Sequence, residues 1–216
     1  MQIQNAIAEF KQKFAVSYIV SISGSADKKY EKLAEDEITC LVKGLKKSNS
    51  KFAVLSGGTK TGVPEIATQV ARKNDIPTIG VFPPKARSSG DVLYDILDLP
   101  IETLAPSIGK PGFGTETPSF AQLPDYAVFI GGGLGTAMEA CMMLKLNKSR
   151  IEKHEVPIFI CPIGSDRATE LIPLLASLEP ILASCLAINL LSGSDAAEYI
   201  KGKELKKKVV SENEVK

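Results

Sequence analysis

The chain has 216 residues, enough for one sizeable hydrophobic core and short for two. Hydrophobic residues make up 44% and charged residues 24%, the balance of an ordinary globular domain, and the formal net charge is +1. So small a charge provides no field to gather DNA, RNA or a membrane surface, and no run of about 18 apolar residues or charged-then-apolar leader points to a membrane span or export.

In chain order, short apolar runs alternate with longer helical patterns. Met1–Lys13 reads as a leading helix and Ala15–Ser23 as the first strand. Tyr30–Lys47 is a predicted helix, with Leu33, Ile38, Leu41, Val42 and Leu45 at helical spacing. Strand Phe52–Leu55, helix Gly62–Lys73 and strand Thr78–Phe82 follow. Pro83–Gly90 is basic and reads as a connection. After strand Ile101–Leu104 comes Ala105–Pro124, rich in Gly, Pro, Ser and Thr. Loops longer than about 12–15 residues in compact domains are usually functional or disordered, so this one is a candidate lid. Strand Tyr126–Ile130, helix Thr136–Leu146, strand Pro157–Cys161, helix Thr169–Ser177, candidate strand Ala183–Leu190 and helix Ala196–Lys206 complete the series. Several strands are apolar on both faces, as strands covered on both sides are. The alternation implies right-handed crossovers and a parallel sheet, an α/β fold in one domain over residues 1–216.

The four cysteines, Cys40, Cys141, Cys161 and Cys185, are scattered without a CxxC pair, and His154 is the only histidine. A metal site is therefore not expected; reduced, buried thiols in a cytoplasmic protein are. His154 lies in the polar run Asn147–Glu155 and reads as a solvated loop position. Tyr126, Phe129 and Phe159 fall in strand patterns and read as core, whereas Phe113 and Phe120 in the long loop are candidates for stacking on a base or for apolar anchoring.

Three small-residue loops follow strands and precede helices: Ser23-Gly24-Ser25, Ser56–Gly62 and Gly131–Thr136. Ligands of open parallel sheets sit beyond the carboxyl ends of the strands, where these loops should meet. Glycine lets the backbone turn and lets another group approach without a Cβ in the way. The helix that follows offers free N–H donors and a partial positive charge, which suits phosphate. A plainer reading stands beside this one. Thr136-Ala-Met-Glu139 fits a capping box in which Glu139 only reaches back to the cap N–H, and Glu65 is placed to do the same for the helix after Ser56–Gly62. Neither loop is a Walker A sequence or a standard dinucleotide fingerprint.

Gly132–Glu139, GGLGTAME, matches the GGxGTxxE signature of the SLOG superfamily, which includes the cytokinin-activating phosphoribohydrolases. Upstream, SGGTKTGVPEIA resembles the GGT-x-TGV element of the superfamily's LSDAT branch, and the likeness in order and spacing runs from about Ala15 to Ile163. The resemblance implies a Rossmann-like three-layer α/β/α fold with a mainly parallel sheet, a small-molecule nucleotide-type ligand and a homo-oligomer. The phosphoribohydrolases carry an arginine shortly before the strand that leads into GGxGTxxE; here no arginine occurs between Arg87 and Arg150.

Two principal readings follow. In the first, the chain binds a nucleotide or NAD-derived, ADP-ribose-like molecule without rapid turnover. Gly57, Gly58, Thr59, Thr61 and Gly62 then hold one phosphate, Gly131, Gly132, Gly133, Gly135 and Thr136 hold another, and Glu139 accepts from ribose hydroxyls. Gly24 and Ser25 line the adjoining wall, and Lys85 and Arg87 contact phosphate unless they belong to a solvated basic loop. No separate cofactor is expected. In the second reading the chain is a phosphoribohydrolase or other nucleoside N-glycosidase with Glu139 as catalytic carboxylate and Lys85, Arg87 or Lys110 on the phosphate. A scaffold with a vestigial pocket is a third. Gly58→Val and Gly133→Val are both expected to abolish binding and leave a folded protein.

Overall fold

The computed structural model describes residues 3–27, 31–48, 50–104, 112–164 and 167–214, and the side chains of these as far as residue 207 except those of 167 and 168. Residues 105–111, with Lys110 and the first part of the long loop, lie outside the described residues.

Six strands, β1 (Tyr18–Gly24), β2 (Phe52–Ser56), β3 (Thr78–Phe82), β4 (Leu99–Glu102), β5 (Tyr126–Ile130) and β6 (Phe159–Ile163), form one sheet in the order β4-β3-β2-β1-β5-β6. Every neighbouring pair is parallel. Every residue of β2, β3, β5 and β6 is buried, which explains why these runs show no polar alternation. Side chains such as Ile19, Val20 and Ile22 are wholly inaccessible. Each contributes about 1.5–3 kcal/mol relative to an exposed position.

The helices are α1 (Ile3–Phe14), α2 (Glu31–Lys46), α3 (Gly62–Lys73), α4 (Pro84–Ser89), α5 (Thr117–Phe120), α6 (Leu134–Glu152), α7 (Arg167–Ser177) and α8 (Gly193–Glu214). They cover both faces of the sheet. The α2 helix packs between α3 and α8, and α6 packs against α5 and α7. Ala34, Ile38, Leu41, Val42 and Leu45 make the buried stripe of α2, whereas Leu33 faces solvent at 51% exposure. Fold class and parallel topology thus agree with the sequence reading.

Four expectations change. Ala183–Leu190 is not a strand: Pro180–Cys185 winds as a 3-10 helix, Leu186 makes a single bridge to Ile160, and Asn189 turns out of extended conformation with φ 64°. Pro83–Gly90 is not an open connection but holds α4, because Pro84 suits a first helical turn and Gly90 closes it in left-handed conformation at φ 75°. α6 starts two residues before Thr136 and runs on to Glu152. All four thiols are free, as expected, but Cys40 and Cys141 are exposed rather than buried. Both margins of the sheet carry a proline, Pro100 in β4 and Pro162 in β6.

Candidate functional site

The direction of winding reverses at β1, whose neighbours are β2 on one side and β5 on the other. That is the switch point at which open α/β sheets take ligands. A cavity of about 470 Å³ lies there. One wall is the end of β1 and its loop, Ser23, Gly24 and Ala26. A second is the loop after β2, with Gly57, Thr59, Lys60 and Thr61. Phe113 and Glu116 enter from the segment before α5, and Glu139 from α6.

Four amides in the turn and first residues of α3 are already engaged. Gly58 N–H donates to the Ser56 hydroxyl at 3.0 Å and Lys60 N–H to the Asp91 carbonyl at 2.7 Å. Thr61 N–H donates to Glu65 Oε2 at 2.6 Å and Val63 N–H to the Ser25 carbonyl at 2.8 Å, while Pro64 has no N–H. Glu65 therefore does what the plainer reading assigned to it. Gly58 and Gly62 serve close packing: a Cβ on Gly58 would stand 2.8 Å from the Gly80 Cα, and one on Gly62 would stand 2.3 Å from the Ser25 carbonyl oxygen. Thr61 and Gly62 have φ of 84° and 62°, and for a β-branched residue that is a strained conformation.

The start of α6 is the opposite case. Its cap, Gly133, makes no side-chain capping bond, and the amides of Leu134, Gly135 and Thr136 have no partner among the described residues. A Cβ on Gly133 or Gly135 would meet nothing within 4 Å. Thr136 is buried at 4% exposure, yet its hydroxyl makes no hydrogen bond to a described residue and points at the Cα of Gly132, where a Cβ would collide with it. Glu139 does not act as the capping-box acid. Its carboxylate accepts a short hydrogen bond from the Ser23 hydroxyl, tying α6 to the end of β1.

Burial pushes the Glu139 carboxyl up to about 7; the Ser23 bond opposes this and the nearby Glu116 charge adds to it. Burial also raises Glu116 above its usual range, against hydrogen bonds from backbone N–H groups, including that of Gly114 at 2.8 Å. Among the described residues lining the cavity Lys60 is the only cation, and its ammonium donates to the Gly90 carbonyl at 2.7 Å. The cavity is thus rich in acceptors, and its open neighbour, the start of α6, is rich in donors.

Against known protein families, residues 17–153 match the profile of the SLOG cluster4 family. The chain belongs to that family. The superfamily assignment drawn from GGLGTAME therefore holds, and the matching profile carries the cluster4 description rather than the LSDAT name. No curated protein matches the chain. Among solved structures, this SLOG chain is similar to the molybdenum cofactor carrier protein of Chlamydomonas reinhardtii, with 22% identity over 86% of this chain and 96% of that one and a TM-score of 0.58. It is equally similar to the molybdenum cofactor binding protein of the phototrophic bacterium Rippkaea orientalis, at 21% identity, 86% and 96% coverage and TM-score 0.59. At such identities the likeness shows the shared fold.

In this SLOG protein the cavity brings together Gly24, Gly57, Thr59, Thr61 and Glu139 of the predicted site residues. Ser25 and Gly62 sit behind its wall in contact with each other, and Gly58 packs under β3. Gly131, Gly132, Gly133, Gly135 and Thr136 lie outside its lining, at the start of α6. Lys85 and Arg87 are elsewhere: both are exposed on α4, and Arg87 pairs with Glu102 at 3.3 Å. Phe120 is core, at 1% exposure, and forms part of the cavity floor, whereas Phe113 stands 60% exposed at the cavity. Sequence reasoning missed Lys60, Asp91 and Glu116. Glu116 alone had a visible signal, a lone carboxylate between glycines, threonines and prolines. Among the described residues no His, Cys, Asp and Glu cluster is arranged to hold a metal, and no helix is long and apolar enough to cross a membrane.

Proposed function

We propose that the protein binds a small nucleotide-type ligand, an ADP-ribose-like molecule, and holds it without turnover. One phosphate rests on the amides of Leu134, Gly135 and Thr136 and on the Thr136 hydroxyl, with Gly133 and Gly135 leaving room for it. Glu139 accepts from ribose hydroxyls, and Gly24, Gly57, Thr59 and Thr61 line the wall beside it. The observation that carries this reading is the uncapped start of a 19-residue helix, where the amides of Leu134, Gly135 and Thr136 have no acceptor among the described residues and the Thr136 side chain lies against the glycine turn. Such a helix end attracts anions. At α3 Val63 N–H is taken by Ser25, Pro64 has none, and Gly58 and Gly62 are closed in by neighbouring backbone, so a second phosphate held by Gly58 and Gly62 is not part of the reading.

Binding is favoured over hydrolysis because Lys60, the one cation among the described lining residues, is engaged at Gly90 and is not free to hold the 5′-phosphate of a nucleotide while its base departs. The similarity to carrier and binding proteins of the molybdenum cofactor points the same way. Exposed Leu134 and Met138 on α6, Leu174 on α7 and Leu178 just after it support a homo-oligomer, and light scattering reads its size. The test of function is calorimetric titration and thermal melting with AMP, NAD, ADP-ribose and the molybdenum cofactor. A ligand should raise the melting temperature of the wild type and fail to do so in Gly133→Val. If none of the four shifts the wild type, the reading falls. Release of free base at enzymatic rates, lost in Glu139→Ala, would replace it with the hydrolase reading.

A further inference from the structure

We propose that Glu116 is a specificity-determining residue of this pocket: with Glu139 it forms a carboxylate pair that accepts the uncharged, hydroxyl-bearing part of the ligand and turns away any ligand that places a second phosphate there. The inference rests on the nucleotide reading above and adds the chemistry of the end remote from the helix start.

Glu116 and Glu139 reach the same cavity from unrelated elements, one from the segment ahead of α5 and one from the second turn of α6. Neither is an exposed surface acid. Glu116 is fixed by the Gly114 N–H at 2.8 Å, and Glu139 by the Ser23 hydroxyl. The other charged residues lining the cavity are Lys60 and Asp91. Lys60 is drawn off to the Gly90 carbonyl, and the Asp91 carboxylate takes the Ser89 hydroxyl. Among the described residues the two glutamates therefore face the cavity with no cation to balance them. A phosphate there would meet like charge in a partly desolvated space. Adjacent hydroxyls, as on an unsubstituted ribose, instead supply the donors that two carboxylates require.

The experiment compares 5′-AMP with adenosine 3′,5′-bisphosphate by calorimetry on the full chain, wild type and Glu116→Gln. The amide still offers an acceptor to Gly114, so the loop is kept while the charge is removed. Wild type should bind 5′-AMP at least tenfold tighter than the bisphosphate, and Glu116→Gln should bring the two within about threefold. In the unliganded protein, carbon NMR of labelled glutamates should show the Glu139 titration, near 7 in the wild type, move down in Glu116→Gln. If 5′-AMP binds and its advantage over the bisphosphate is unchanged in the variant, or if the Glu139 titration does not move, the role of Glu116 is overturned and the phosphate reading stands. If wild type binds neither nucleotide, the role of Glu116 falls, and titration with ADP-ribose and NAD decides the nucleotide reading separately.

Discussion

Two helices of this protein begin in the same way, after a buried strand and a glycine-rich turn, and they differ in where their first amides go. At α3 the donors of Gly58, Lys60, Thr61 and Val63 are taken by Ser56, Asp91, Glu65 and Ser25. At α6 the donors of Leu134, Gly135 and Thr136 face an open turn, with no capping side chain. The glycines follow the same division. Those of the first turn let backbones touch, and Gly133 and Gly135 stand in free space. A glycine loop before a helix therefore has two meanings, internal packing or an approach for a ligand, and following each N–H to its acceptor separates them.

The largest effect that would break this contrast is at Gly62. Its φ of 62° and the Ser25 oxygen 2.3 Å from a Cβ leave no room, so Gly62→Ala should lose about 3 kcal/mol or more in urea unfolding. By the same argument Gly58→Val should now fail by misfolding, not by losing ligand alone. Next is Glu139. Its pKa is raised from 4.5 to about 7 in the folded state, so the folded protein binds the extra proton in that window. Its contribution is fully present below 4.5 and is lost as pH rises through about 7. Glu139→Gln, which carries no such charge, should be more stable than wild type by about 2 kcal/mol near pH 8, and the difference should vanish in acid. Glu65→Ala sharpens the comparison from the closed side: losing the acceptor for Thr61 N–H should cost about 1 kcal/mol and leave nucleotide affinity untouched. The smallest stability change belongs to the open side. Gly133→Val should unfold within about 0.5 kcal/mol of wild type and still lose at least tenfold in nucleotide affinity. A variant that unfolds several kcal/mol earlier would show that this turn, too, is packed.

Much of the architecture was legible because the buried strands announce themselves. Thr78–Phe82 and Tyr126–Ile130 keep the limits that their apolar runs suggested, bounded by Pro77 and Asp125. Gly62–Lys73 also begins and ends as its pattern implied. Ala183–Leu190 misled because an apolar composition does not distinguish a strand from a 3-10 turn that lies on one. The Thr136-x-x-Glu139 spacing misled in another way: it has the form of a cap, but Ser23, more than a hundred residues away, claims the carboxylate. No local pattern carries that information. Glu116 was hidden for a related reason, since a loop of small residues does not reveal which of its side chains turns inward.

The prolines at the two rims have a bearing on how copies of this molecule meet. Pro100 and Pro162 each interrupt the row of donors that an incoming extended segment would need, and Ala187 already occupies the Ile160 carbonyl on the outer side of β6 at 2.9 Å. Lateral growth of the β-layer from one molecule into the next is thereby blocked at both ends. The helical faces are the surfaces this leaves open to a second copy.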